Sequence, residues 1–405
     1  MNADFVYCSG YQSEYKQKSV GRTDGCATFY KQQKFSCCNS VPVEFYVDGC
    51  SVLDRPNVAL LLLLEPLESS RDGRQAHSSS MCICVANTHL LYNPGRGDVK
   101  LAQLMFLFAA IDEVAGTSAE PRPKHHPVIL CGDLNLEPFS QLYDFIVNGS
   151  LHFDGLPIKS MSGQKDDYGG QRLNSQYFLP PSVDVTDFCQ FFQVAEHRRK
   201  SSRRSHRWRG YDQSFYSGSA CHALDLVSAY DNTRHQALTS WLGNKSCGAQ
   251  VDYIFYSAEQ KNPVHVGGDR LSRRRMGDGL LTLSHVLELP TQEEVCRCGG
   301  LPNSRESSDH LMLMAWFTLN TCAWSCNLYF VIATIVVMLC ANLVEYTGWI
   351  CWYSVHYVID IMIWYHAVRD AILTCTQKLD LLHRTMQACP LLNNEKVTNM
   401  SNDFF

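Results

Sequence analysis

Asp133 and Asn135 stand two residues apart, directly after the apolar run Val128-Ile129-Leu130-Cys131. On an extended chain, residues i and i+2 face the same side, so a carboxylate and a carboxamide can aim at one point. Such a pair suits activation of a water, or the holding of a phosphate or a hard cation. Three other polar sites share this setting at the boundary between an apolar run and a turn: His89, Asp252 and the pair Asp309/His310. A histidine can steady or protonate a phosphate oxygen. One acid can orient that histidine, and another can take a proton from water. Gathered at one place, these residues make a set for phosphoester hydrolysis. Taken singly, each has a plainer reading: His89 as a capped core histidine, Asp133/Asn135 as an Asx-type turn, Asp252 and Asp309/His310 as turn residues.

The elements that must position them are read from hydrophobic pattern. Val58 to Leu64 is a continuous apolar run, the mark of a strand covered on both faces. Ile83 to Leu90 is a second buried strand, ending in His89, and Val128 begins a third that leads into Gly132-Asp133. Between them Asn93-Pro94-Gly95-Arg96-Gly97 breaks the chain. Asp98 is placed as the N-cap of a helix whose Leu101, Leu104, Phe108, Ile111 and Ala115 fall at helical spacing. A short helix is expected from Ser140 to Val147, and strands from Val251 to Ser257 and from Leu311 to Phe317. Residues 1–35 are polar and Tyr-rich and read as a loop entering a short strand, Ala27 to Lys31. Residues 155–182 read as loops, and Pro121 to Pro127 as a linker.

The 405 residues, 45% hydrophobic and 19% charged, suffice for one large α/β domain or two ordinary ones. A net charge of -5 argues against coating of nucleic acid by the whole surface. Local basic patches remain: Arg198, Arg199, Arg203 and Arg204 lie in an Arg-rich run that is either a solvated loop or a phosphate-backbone contact. The 19 cysteines show no paired CxxC framework, and the N-terminus shows no secretory signal, so reduced thiols and a cytoplasmic protein are expected.

Asn87-Thr88-His89-Leu90, Gly132-Asp133-Leu134-Asn135, Val251-Asp252-Tyr253-Ile254-Phe255-Tyr256-Ser257 and Ser307-Ser308-Asp309-His310-Leu311 occur in this order. As a set they resemble the endonuclease/exonuclease/phosphatase superfamily. Thr23-Asp24-Gly25-Cys26-Ala27, the segment 93–103 and Pro42-Val43-Glu44-Phe45-Tyr46 narrow the resemblance to its deadenylase-like branch and, within it, the Angel proteins. The resemblance spans about Tyr11 to Phe317. It implies a four-layer α-β-β-α sandwich over residues 1–318, two mixed sheets face to face with helices outside and the site at one rim. It also implies Mg²⁺, with Mn²⁺ as an alternative, to neutralise charge on phosphate oxygens. By the same resemblance His89 and His310 contact the scissile phosphate, Asp252 orients His310, Asp133 handles the nucleophile or a proton, and Asn135 positions the phosphate. Asp133, Asn135 and Asp309 form the metal region, and Arg96 and Lys100 join the Arg-rich run as RNA contacts.

Two departures stand out. The family opens with strands that carry an Asn and a Gln-Glu-Val whose Glu is the principal metal ligand. Neither is found here, and Glu14 sits in a polar segment and reads as a surface residue. The chain is therefore expected to be incomplete at its N-terminus, with weakened metal binding and turnover. Beyond residue 318 the resemblance ends, and Leu328 to Val344 is apolar enough for the lower limit of a membrane span. With Trp349 to Val368 it reads as a membrane hairpin, a helical appendage or a segment without a role.

The leading functional expectation is a metal-dependent phosphoesterase acting on RNA 3′ ends, as a 3′-to-5′ exoribonuclease of the poly(A) deadenylase type. Hydrolysis of a terminal 2′,3′-cyclic phosphate needs the same constellation and is the rival reaction. A non-catalytic RNA-binding or adaptor protein is the alternative from another class, and membrane association through 328–368 the alternative to a cytoplasmic location.

Overall fold

The computed structural model describes residues 10–19, 21–67, 82–117, 125–174, 178–194, 218–230, 238–242, 247–258, 281–303, 306, 308–319 and 331–332. The chain divides into two compact units, Met1–Asn342 and Leu343–Phe405, and all the described residues belong to the first. The strands in chain order are β1 (Tyr11–Gln17), β2 (Gly25–Lys31), β3 (Phe35–Glu44), β4 (Val58–Pro66), β5 (Ile83–His89), β6 (Val128–Asp133), β7 (Ser150–His152) and β8 (Ser219–Cys221). They continue with β9 (Leu226–Ser228), β10 (Ser240–Leu242), β11 (Cys247–Ala249), β12 (Asp252–Ser257), β13 (Leu281–Val286), β14 (Ala315–Leu319) and β15 (Val331–Ile332). The helices are α1 (Gly97–Ala115), α2 (Gln141–Asn148) and the short α3 (Gln292–Arg297).

A six-stranded sheet, in the order β3-β4-β5-β6-β12-β9, carries the architecture. It is mixed: β5 and β6 run parallel, and every other neighbouring pair is antiparallel. The parallel pair is joined by the α1 crossover, as parallel strands require. The sheet's apolar runs are continuous because both faces are covered. Along β4, Ala59 and Leu61 enter one core, with α1, α2 and the loops that follow them. Val58, Leu60, Leu62 and Leu64 enter a second core, with Cys26 and Tyr30 of β2 and Leu281, Ala315, Phe317 and Leu319 of β13 and β14. The same alternation sorts Cys84 and Ala86 from Ile83 and Val85 in β5, and Leu130 from Ile129 and Cys131 in β6.

The second layer is built from the antiparallel β1–β2 hairpin and the β13-β14-β15 sheet. Of the expected four layers the described residues show three: a helical layer, a large mixed sheet and a layer of smaller sheets, which are antiparallel and not mixed as expected. Glu14 lies on β1, where it accepts a hydrogen bond from Ser40 of β3. Residues 11–17, read from sequence as part of a loop, form a strand: β1 is polar because one of its faces is exposed.

Helix α1 is buried on nearly all sides, including Lys100 and Gln103. Its N-cap is Arg96, which makes no side-chain capping bond. Asp98 sits inside the first turn and receives the Arg96 guanidinium at 2.9 Å and 3.0 Å. Helix α2 matches the sequence expectation: Ser140 caps it by accepting from the Tyr143 N–H, and Gly149 closes it in the left-handed conformation. The last strand of the expected set is shifted, since 311–314 are not strand and β14 begins at Ala315. No helix among the described residues is long and apolar enough to cross a membrane. All but residues 331–332 of the 328–368 run lie outside the described residues, as do Arg198, Arg199, Arg203 and Arg204.

Candidate active site

Three of the expected residues form one row across the sheet. His89 ends β5 and is the registered partner of Asp133 at the end of β6, and Asp133 in turn is the registered partner of Asp252 at the start of β12. Adjacent strands lie about 4.8 Å apart, so the row brings the three within reach of one another. Alternation places them on one face: Ile129 and Cys131 precede Asp133, and Ile254 follows Asp252, all with side chains in the second core. The row therefore points between the two sheet layers, at the rim where the strands end.

His310 reaches the row from a different part of the chain. Segment 309–311 pairs with 239–241: the Trp241 N–H donates to the Asp309 carbonyl at 2.8 Å, and the Leu311 N–H donates to the Thr239 carbonyl at 2.7 Å. This sets the His310 Nδ1 2.8 Å from Asp252 Oδ2. Thr239 also anchors the start of β12, since its Oγ1 accepts from the Val251 N–H at 3.0 Å and the Asp252 N–H at 3.1 Å. The ligand atoms of Asp133, Asp252 and His310 lie within 4.8 Å of one another.

A buried amide network fixes the chain beyond β5. Asn57 Nδ2 donates to the His89 carbonyl at 2.9 Å, and Gln103 Nε2 donates to Asn57 Oδ1 at 3.2 Å. The Leu91 N–H donates to Gln103 Oε1 at 3.0 Å, and Asn135 Nδ2 donates to the Leu90 carbonyl at 3.2 Å. Asn135 has φ 50°, a left-handed conformation that asparagine tolerates, and its own N–H donates to Asp133 Oδ1 at 2.9 Å. Gly132 is required between the strands: its φ is +142°, and a Cβ there would lie 1.8 Å from the Thr88 carbonyl oxygen.

The electrostatics follow from burial and from the facing carboxylates. Burial and the charge of Asp252 push the Asp133 carboxyl well above the usual carboxylate range. For His310, burial works downward, but the hydrogen bond and charge of Asp252, aided by Asp133 and Asp309, carry it up to about 9. His89 goes the other way. Burial, with the positive charges of Lys18 and His310, pulls it down to about 3. Its Nε2 lies 3.5 Å from Asp133 Oδ2, too long for a strong ion pair, and that contact does not offset the burial. The cluster thus presents one cationic and one neutral histidine on either side of two acids.

Asn135 joins the rim, but Asp309 does not join the cluster. It is exposed, its carbonyl is bound to Trp241, and its charge is felt at His310 only through space. Among the described His, Cys, Asp and Glu side chains, those close enough together to share a cation are Asp133, Asp252 and His310, which include Asp133 of the expected metal region but not Asp309. Lys100, expected as an RNA contact, is fully buried. Its ammonium donates to the Asn135 carbonyl at 2.5 Å and to Gln164 Oε1 at 2.6 Å, and burial lowers it to about 7. It supports the turn after β6 and offers no surface charge. Arg96 is half-committed to Asp98 and keeps part of its guanidinium exposed.

Sequence reading gave no role to Thr239, Ser240 and Asn57, which lie in loops or on the three-residue β10 and carry no motif of their own, and saw Gln103 only as the last residue of segment 93–103. It also missed Lys18, which is paired with Asp24 across the β1–β2 turn within electrostatic reach of His89. Asp24 was visible only as part of Thr23-Asp24-Gly25-Cys26-Ala27.

A two-layer β arrangement with helices against the large sheet, and acids and imidazoles converging between its layers at one rim, is suited to phosphoester chemistry. Residues 3–310 match the Endonuclease/Exonuclease/phosphatase family, and the chain belongs to it. It is 38% identical over 318 residues to Protein angel homolog 2 of Danio rerio, covering 77% of this chain and 52% of that protein. It is 36% identical over 368 residues to human Protein angel homolog 1, covering 78% of this chain and 53% of that protein. The chain spans about half the length of the curated relatives it matches. Among solved structures it resembles ANGEL2, a 2′,3′-cyclic phosphatase, in complex with adenosine-2′,3′-vanadate. That likeness has a TM-score of 0.59 at 35% identity and covers 77% of this chain and 75% of that one.

Proposed function

We propose that this chain is a divalent-metal-dependent phosphoesterase acting on the 3′ ends of RNA, with a terminal 2′,3′-cyclic phosphate as the favoured substrate. The observation that supports the chemistry is the Asp252–His310 pair beside Asp133. His310, held charged by Asp252, donates from Nε2 to a phosphoryl oxygen, where negative charge develops during displacement. Asp133 takes or gives the proton at the attacking water or the leaving oxygen. Asn135 is fixed at the rim by Leu90 and orients the phosphate, and neutral His89 offers a second ring nitrogen to it. The cyclic phosphate is favoured because ANGEL2, whose fold and sequence this chain resembles, is a 2′,3′-cyclic phosphatase.

The donor set fits a divalent cation. Two buried carboxylates meet in one register row, and burial together with their mutual repulsion raises Asp133, a cost that a cation relieves. Asp133 and Asp252 would hold the ion, Mg²⁺ or Mn²⁺, which supplies charge neutralisation on the phosphoryl oxygens.

A second reading is 3′-to-5′ removal of nucleotides, including poly(A), by the same groups; the shared fold supports it equally. Purified 1–405 offered an oligonucleotide ending in a 2′,3′-cyclic phosphate and an oligo(A) with a free 3′-hydroxyl decides between them. Opening of the cyclic phosphate to a monoester without shortening supports the first reading. Shortening of oligo(A) in single steps supports the second. Metal-independent RNA retention without either product favours an adaptor role, for which the Arg-rich run at 198–204 would be the contact. A cytoplasmic location and membrane attachment through 328–368 are separated by fractionation of the full chain.

A further inference from the structure

Ser240 lies against the histidine that Asp252 orients. Its Oγ is 3.3 Å from His310 Nε2, while Asp252 Oδ2 occupies Nδ1 at 2.8 Å. The carboxylate, the imidazole and the hydroxyl thus form a continuous chain of contacts, with Ser240 at the ring nitrogen that Asp252 does not occupy. Ser240 is 6% exposed.

We propose that the Ser240 hydroxyl is a phosphate-binding group, which donates together with His310 Nε2 to one non-bridging oxygen of the scissile phosphate. The inference rests on the phosphoesterase reading above and adds a residue to it.

Three observations carry it. First, the hydroxyl is not needed to place His310: two backbone hydrogen bonds and a β-bridge between Ser240 and His310 already fix the two segments side by side. Second, the neighbouring hydroxyl shows what a structural role looks like here. Thr239 Oγ1 is fully engaged, accepting two backbone N–H groups and contacting the Ala249 carbonyl at 3.5 Å. Third, at 3.3 Å the Ser240–His310 contact is long for an O–H or N–H bond to a good partner. An anionic oxygen set between the two groups would satisfy both with shorter, charge-assisted bonds. A donor fixed in advance where charge develops is the type of group that lowers a phosphoryl-transfer barrier.

The test uses full-length 1–405, with Ser240→Ala, Ser240→Cys and Ser240→Thr, on an oligonucleotide ending in a 2′,3′-cyclic phosphate and on oligo(A). Ser240→Ala is expected to lower kcat about 10- to 100-fold with KM changed less than about threefold, and Ser240→Thr to recover most of the loss. The specific readout is the thio effect. With Rp and Sp phosphorothioate substrates, one diastereomer is slowed by the parent protein, and that penalty shrinks in Ser240→Ala. A purely structural hydroxyl would lower both diastereomers alike. Ser240→Cys reports the same quantity if the alanine variant unfolds. Unchanged kcat, or an undiminished thio effect in active Ala and Cys variants, overturns the proposal and leaves the phosphoesterase reading standing. If the parent protein hydrolyses neither substrate, that reading fails by itself. The hydroxyl is then judged by titration with inorganic phosphate, followed through the His310 ring resonances. Affinity about tenfold weaker in Ser240→Ala but recovered in Ser240→Thr supports it, and equal affinity refutes it.

Discussion

Asp133 and Asp252 are registered partners across the antiparallel β6–β12 pair, so two buried carboxyls face each other where a sheet would ordinarily pair apolar side chains. Burial and the opposing charge hold the Asp133 proton, and the same charges hold a proton on His310. Both groups have folded values above their ordinary ones. The stability contributed by His310 is complete below its ordinary value of 6.5 and is lost as pH rises through about 9. Asp133 acts in the same direction, because the unfolded chain ionises first and gains on the folded state as pH rises. The contribution of these two groups is therefore expected to fall between pH 6.5 and 9, against the opposite contribution of Lys100, which burial lowers to about 7. Mg²⁺ or Mn²⁺ displaces those protons and should raise Tm more at pH 8.5 than at pH 6.5. Scanning calorimetry with chelator and with added cation checks this; an equal gain at both pH values would argue against the carboxyl pair as the cation site.

Asp252→Asn keeps the shape of the side chain but removes the charge that orients and protonates His310. The expected loss is about 100- to 10,000-fold in kcat with folding retained, and His310→Ala should cost no more when added to it. Multiplicative losses in the double variant would show that the two residues do not act as a unit.

Gly132→Ala places a Cβ 1.8 Å from the Thr88 carbonyl oxygen at a φ of +142°. The β5 and β6 ends must separate, and with them His89 and Asp133. A destabilisation of about 3 kcal/mol or more is expected, with loss of activity. Chemical denaturation gives the number, and a change under about 1 kcal/mol would show that the strands can relax.

Gln103→Leu keeps the bulk of a fully buried side chain but leaves the Leu91 N–H and Asn57 Oδ1 without their present partners. The expected loss is about 2–4 kcal/mol, together with weaker turnover because the Asn57 anchor on His89 loosens. Amide exchange at 89–91 should quicken; unchanged exchange would place the network outside the control of His89.

Lys100→Met separates a supporting role from RNA contact. It removes two buried hydrogen bonds and should lower stability while leaving the salt dependence of RNA binding unchanged. Replacing Arg198, Arg199, Arg203 and Arg204 with Gln should flatten that salt dependence if the run contacts phosphates. The slope of log affinity against log salt decides both.

The parts of this molecule legible in the sequence are those where one residue type dominates a stretch. The runs at 58–64, 83–88 and 128–131 could be read as strands buried on both faces because each alternate side chain meets a different core. His89, Asp133, Asp252 and His310 could be singled out because each interrupts such a run at its end. What could not be read is whatever depends on pairing between distant segments. β1 is polar and hides its strand character, and β10 is three residues long. Ser240 gains meaning only from its bridge to His310. Asp309 resembled a ligand by adjacency to His310, but successive residues on an extended segment point opposite ways, and it faces out. Lys100 resembled a surface cation because helix periodicity cannot show that α1 is covered on its second side as well.

The position of β12 between β6 and β9 has a bearing on synthesis. β6 leaves the ribosome with one long edge open, since the strand that pairs with it is made only after the whole stretch from α2 to β11. At ordinary elongation rates that delay is on the order of ten seconds. For that time the unpaired N–H and C=O groups along one edge of the apolar segment Val128-Ile129-Leu130-Cys131 are open to any neighbouring strand, including one on another nascent chain. The strand that carries Asp252 therefore also closes this open edge, so protection of β6 and completion of the row His89, Asp133 and Asp252 come in one step.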